Sequence, residues 1–159
     1  MPKPKIYLET TLFNFYVDED RGFAHETTIL LFNEILEGKY SALTSRIVID
    51  ELNAAPGAKR DKMLNLILEY DIPVLETNDE VVRMADLYVR DDIIPARYRT
   101  DGLHIAIATV YDLDMVISMN FAHIVKRKTK IGIGSINTLN GYRALEIYSP
   151  MEIVENERD

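Results

Sequence analysis

The segment TDGLHIAIATVYDLDMVISMNFAHIV, from Thr100 to Val125, constrains the fold more tightly than any other. A helical pattern with an acidic first turn leads into a short strand of buried character, and a polar residue, Asn120, follows at once. Strands buried on both faces belong to parallel sheets covered by helices. In open parallel sheets ligands collect at the carboxyl ends of the strands. A helix that feeds a parallel strand begins at that same edge, so Asp101 and Asn120 are expected near each other.

The remaining chain repeats this alternation. Lys5 to Thr10 carries Ile6, Tyr7 and Leu8 without polar interruption, a strand buried on both faces. Arg21 to Lys39 has Ile29, Leu30, Phe32, Ile35 and Leu36 at helical spacing, with Gly38 at its end. Tyr40 to Ser45 reads as a second strand. Two helices follow, one over SRIVIDELN stopped by Pro56 and Gly57, the other burying Met63, Leu64, Ile67 and Leu68. Ile72 to Glu76 is a third strand, and Asn78 caps a helix over Asp79 to Arg90. IIPARYRT reads as a loop in which Thr100 caps the next helix, Met115 to Met119 is the fourth strand, and KRKTK is a basic turn. Ala144 to Tyr148 reads as a fifth, edge strand. These lengths predict βαβ units in a three-layer α/β/α sandwich with a parallel sheet of four to five strands. A single domain over 1–159 is expected, with 1–4 and 151–159 loosely ordered.

Composition narrows the chemistry. There is no cysteine, which excludes disulfides, thiolate nucleophiles and cysteine-ligated zinc. His25, His104 and His123 lack HExxH spacing, which argues against a zinc hydrolase. No apolar run approaches the roughly 20 residues of a membrane span, and the start lacks a signal peptide's apolar stretch, so a cytoplasmic location is expected. The net charge of −8 opposes polyanion binding unless cations cluster locally.

Four residues could carry chemistry: Glu9 closing the first strand, Glu51 in the helix after the second, Asp101 opening the long helix, and Asn120 after the fourth strand. Connectivity alone puts Glu9, Asp101 and Asn120 at one edge. Glu51 lies about 9 Å below its helix start at 1.5 Å per residue, so it reaches that edge only from the sheet-facing side. A helical wheel puts it on the flank of the Ile47, Val48, Ile49 and Leu52 face, with Asp50 opposite. Three carboxylates and an amide suit a hard cation such as Mg²⁺ or Mn²⁺. Without one they repel: two like charges about 4 Å apart cost roughly 4 kcal/mol at an effective dielectric near 20. One acid must then stay protonated or a cation must enter. Each residue also has a structural reading, as helix cap, strand-end ion pair, turn or solvated helix residue.

Around these four, His104 reads as a hydrogen-bonded core residue or a partner of the acids, and His123 as cover for the cleft base. Phe13 to Tyr16 reads chiefly as core, and Asp18, Glu19 and Asp20 as a solvated loop. Thr10 and Thr11 supply hydroxyls beside Glu9. Positive charge gathers at Lys126, Arg127, Lys128 and Lys130 and at Arg97 and Arg99, a possible phosphate-tracking rim with Thr10.

IYLETTLF, SRIVIDEL, TDGLHIAIA and ISMNFAHIV, in this order and spacing, resemble the PIN-domain nucleases, in particular the ribonuclease toxins of toxin–antitoxin pairs. The resemblance spans nearly the whole chain. It implies an α/β/α sandwich, a homodimer, a possible protein antitoxin, and Mg²⁺- or Mn²⁺-dependent hydrolysis of RNA. By position, Glu9 stands at the family's first-strand Asp, Glu51 at its helix Glu, Asp101 at its third acid, and Asn120 at a fourth place commonly Asp. Glu9, Glu51 and Asp101 are therefore expected to hold metal, with Asn120 completing the catalytic set; the exchanges at Glu9 and Asn120 predict one metal at most. The alternative is a PIN-like module that binds RNA or protein without catalysis. A flavodoxin-like phosphoacceptor domain ranks below both, because neither Glu9 nor Asn120 is an Asp.

Overall fold

In the computed structural model, which describes residues 2–155, β1 (Lys5–Leu8) lies at the centre of a five-stranded parallel sheet. β2 (Ser41–Ser45) and then β3 (Val74–Leu75) lie on one side of it, β4 (Met115–Ile117) and then β5 (Glu146–Tyr148) on the other. Ile6, Tyr7 and Leu8 are all fully buried, as a strand covered on both faces requires.

The chain first walks outward from β1 to β2 to β3, then crosses back to β4 and β5. Crossovers between parallel strands are right-handed, so the two directions of travel place their helices on opposite faces. One layer holds α1 (Thr10–Val17), α2 (Phe23–Leu36), α3 (Arg46–Asn53) and α4 (Gly57–Glu69). The other holds α5 (Asp79–Arg90), α6 (Arg99–Val110) and α7 (Arg127–Leu139). The order of travel reverses between β1 and β4, which makes their carboxyl ends the topological switch point where such sheets bind ligands.

Several expectations need correction. The first strand stops at Leu8 rather than Thr10, because Glu9 caps a helix over Thr10–Val17 that buries Leu12 and Phe13 in the core. Lys126 to Lys130 is not a free turn: Arg127 opens α7, whose inner face is Thr129, Ile133, Ile136 and Asn137. Thr100 does not cap the long helix, since α6 starts at Arg99 after a 3-10 turn over Ala96–Tyr98. Nor is 151–155 loose. α8 (Pro150–Ile153) has a Ser149–Glu152 capping box, and Glu155 N–H donates to Glu34 at 3.2 Å. Residues 1 and 156–159 of that expectation lie outside the described residues. No helix among the described residues is long and apolar enough to cross a membrane.

Candidate active site

Glu9 leaves β1 with extended backbone, its N–H bonded to the Ile117 carbonyl of β4 at 3.1 Å, which turns its side chain into the switch point. Only 3% of it is exposed. Three donors converge on one carboxylate oxygen, Oε1: Thr11 Oγ1 at 2.5 Å, Ser118 Oγ at 2.6 Å and Thr11 N–H at 3.2 Å. The hydroxyls are themselves oriented from behind, because Met119 N–H donates to Thr11 Oγ1 at 2.8 Å and Asn120 N–H to Ser118 Oγ at 2.9 Å. Each hydroxyl thus accepts from the backbone after β4 and gives its own proton to Glu9.

Glu51 follows the same pattern. α3 buries Ile47, Val48 and Leu52, which leaves Glu51 on the flank that the wheel predicts. Its Oε1 accepts from Thr10 Oγ1 at 2.6 Å and from His104 Nε2 at 2.5 Å. In both glutamates Oε2 has no hydrogen-bond partner among the described residues. Glu9, Thr10, Glu51, Asp101 and Asn120 all line one cleft of about 330 Å³, together with Lys59 of α4. The four predicted catalytic positions therefore meet. Asn120 is braced by His123, whose N–H donates to Asn120 Oδ1 at 3.0 Å.

Electrostatics shows the strain of gathering acids. Burial pushes the Glu9 carboxyl above the ordinary range, against the pull of His104 and of its hydroxyl donors. Burial also raises Asp101, with Glu51 adding to the rise and His104, Asn120 and His123 opposing it. Glu51 goes the other way: burial would raise it, but the His104 hydrogen bond and field, with Thr10, hold it below the usual value. His104 itself is fully buried, and the Glu51 bond with the fields of Glu9, Glu51 and Asp101 raises its pKa despite desolvation. It is a core residue and an active-site partner at once.

The basic rim is only partly assembled. Arg99 pairs with Asp86 at 2.8 Å and does not line the cleft. Lys126, Arg127 and Lys128 do not line it either; they stand at the start of α7, and no ion pair engages them among the described residues. His123 stacks on Tyr98 with ring centroids 3.9 Å apart and is not among the residues that line the cleft. Sequence reasoning missed Lys59, the cation that does line the cleft, because it lies on a helix flank with no pattern to single it out. Ser118 was missed as well. Its place, one residue beyond β4, singles it out only once the fold sets Glu9 beside it.

The donors fit a hard divalent cation in kind: all are oxygens, and both glutamates keep one oxygen free. His104 turns Nε2 to Glu51 and so is not a ligand. Among the described residues no three acidic or histidine side chains converge closely enough to hold one ion unaided. Mg²⁺ does not need three, since it commonly takes one or two carboxylates and fills its shell with water and phosphate oxygens.

No protein-family model and no curated protein matches this sequence. Among solved structures, the chain is similar to one in the crystal structure of VapBC2 from Rickettsia felis bound to a DNA fragment from their promoter. The TM-score is 0.53 at 13% identity, over 91% of this chain and 98% of that one. At that identity the likeness speaks to architecture, and what it shows is that this chain has the PIN-like fold: an α/β/α sandwich on an all-parallel sheet.

Proposed function

We propose that this protein is a Mg²⁺- or Mn²⁺-dependent ribonuclease of PIN type, the toxin of a toxin–antitoxin pair. One observation carries the reading. Glu9 and Glu51 each tie one oxygen down with hydroxyl or imidazole donors and leave the other unpaired in a cleft they share with Asp101. Such an arrangement stabilises nothing by itself, as the raised pKa values of Glu9 and Asp101 indicate. It is what a site pre-organised for a cation needs.

Glu51 would hold the ion first, being the acid whose pKa is depressed, with Asp101, which lines the same cleft, beside it. Glu9 would join by giving up its proton. The chemistry such an ion supplies when bound is Lewis acidity toward a phosphoryl oxygen and a more acidic water. Lys59 would stabilise negative charge growing on the phosphoryl group, Asn120 would offer a neutral amide beside it, and Thr10 keeps Glu51 oriented. The unpaired cations at the start of α7 would track the RNA backbone. The antitoxin and the homodimer rest on the sequence resemblance and on the likeness in fold to VapBC2, which concerns architecture alone.

A second reading, a PIN-like binding module without catalysis, draws on the absence of three converging ligands among the described residues and on the neutral Asn120. Asp101→Asn separates the two. On the first reading it lowers metal-dependent RNA cleavage by at least about 10²-fold with circular dichroism unchanged. Equal cleavage by variant and wild type removes Asp101 from the catalytic set and overturns the first reading as drawn; no cleavage by either, alongside undiminished RNA binding, favours the module.

A further inference from the structure

Glu51's orientation traces back through a closed circuit of hydrogen bonds. Val48 N–H donates to Ser45 Oγ at 3.3 Å, the cap that starts α3. Ser45 Oγ lies 2.7 Å from the Tyr7 hydroxyl, which lies 2.6 Å from His104 Nδ1. His104 Nε2 reaches Glu51 Oε1 at 2.5 Å, back on α3 one turn beyond Val48. Ser45, Tyr7 and His104 are all fully buried, so no water completes their hydrogen bonding.

Counting protons sets the direction. Val48 N–H can only donate and the Glu51 carboxylate can only accept, so every buried proton finds an acceptor only if the Ser45 hydroxyl donates to Tyr7, Tyr7 to His104 Nδ1, and the neutral imidazole carries its own proton on Nε2, aimed at Glu51. A doubly protonated imidazole also carries a hydrogen on Nε2, so the donation to Glu51 does not depend on the charge of His104. Every donor in the circuit is used, and each element the circuit crosses, β1, β2, α3 and α6, is locked to the others.

We propose that His104 is a positioning residue for Glu51, oriented by Ser45 and Tyr7, whose Nε2–H pins one oxygen of that carboxylate so that the other faces the cleft. This rests on Glu51 being a metal-holding carboxylate. Partners that orient a metal ligand typically contribute about 10–100-fold to metal affinity, and this circuit serves that end from residues that never touch the ion or the RNA.

Two variants separate orientation from packing. His104→Gln keeps a donor at the Nε2 position, whereas His104→Asn keeps only a group at the Nδ1 position, facing Tyr7. Calorimetric titration of the metal-free protein with Mn²⁺ should show the Gln variant within a few-fold of wild type and the Asn variant weaker by about 10–100-fold. Equal loss in both, or wild-type affinity in the Asn variant, overturns the proposal. The imidazole ¹⁵N spectrum of the wild-type protein tests it without any substitution: Nε2 should carry hydrogen, and a bare Nε2 overturns it. A wild-type chain that takes up no Mn²⁺ overturns instead the metal reading on which this one rests, while the ¹⁵N spectrum still reports whether His104 orients Glu51.

Discussion

Glu9 and Asp101 hold their protons more tightly in the folded chain than free carboxylic acids do, because burial disfavours their charge. The folded protein therefore takes up protons before the unfolded one as pH falls toward the ordinary values of 4.5 and 3.8, and metal-free stability rises through that window. His104 acts in the same sense, its raised pKa adding stability that is complete below 6.5 and lost as pH rises through the folded value. Glu51 opposes only lower down, since its depressed pKa contributes stability above 4.5 that is lost as pH falls further. Urea midpoints of metal-free protein should thus climb from pH 7 toward 5, and Glu9→Gln should flatten the climb; a steady decline over that range contradicts this balance. By the same logic Asp101→Asn should stabilise the metal-free fold by about 1 kcal/mol, roughly 2–4 °C in Tm for a chain of this size. Glu9, Asp101 and Asn120 were legible beforehand because connectivity alone places strand exits and helix starts on one edge. Glu51 needed the wheel as well. Ser118 and Lys59 were not, since neither a serine beyond a strand nor a lysine on a helix flank carries a pattern until the fold gives it neighbours.

At the scale of elements, α7 shows why part of the fold was hidden. Its sequence opens with cations at the end where the helix dipole disfavours them and contains Gly132 and Gly134, so local propensity argues against a helix. Tertiary contacts decide instead. Asn137 accepts from the Tyr88 hydroxyl at 2.6 Å and donates to Thr109 Oγ1 at 3.0 Å, tying α7 to α5 and α6. Gly132 is there because a Cβ would stand 2.6 Å from Ile93 Cγ1, 2.9 Å from its Cδ1 and 3.0 Å from its Cγ2, so no single rotation of Ile93 clears it. Gly134 has nothing within 4 Å of that position. Gly132→Ala should therefore destabilise, an overpacking penalty of about 1–3 kcal/mol exceeding the helix gain, while Gly134→Ala should stabilise by roughly 0.5–1 kcal/mol. Equal effects in chemical denaturation would contradict the close packing of α7 on the segment after α5. α5, by contrast, was readable to the residue, with Asn78 accepting from Val81 N–H at 2.9 Å and acids in the first turn.

For the whole molecule, the net charge of −8 and an RNA substrate are reconciled only if the few unpaired cations are placed where the backbone runs. Replacing Lys126, Arg127 and Lys128 together by Gln should weaken RNA binding at low salt and reduce the salt slope of log K by about 2, at roughly 0.7 per phosphate on a single strand. An unchanged slope would remove α7 from the RNA path. The architecture puts everything else at one place: reversal of strand order between β1 and β4 opens the cleft, and the helices after β1, β2 and β3 each bring an acid or its partner to it. Anomalous diffraction from crystals soaked in Mn²⁺ tests that arrangement most directly. The predicted result is a single peak in the cleft within about 2.0–2.4 Å of oxygens from at least two of Glu9, Glu51 and Asp101. A peak elsewhere, or none at millimolar Mn²⁺, would contradict it.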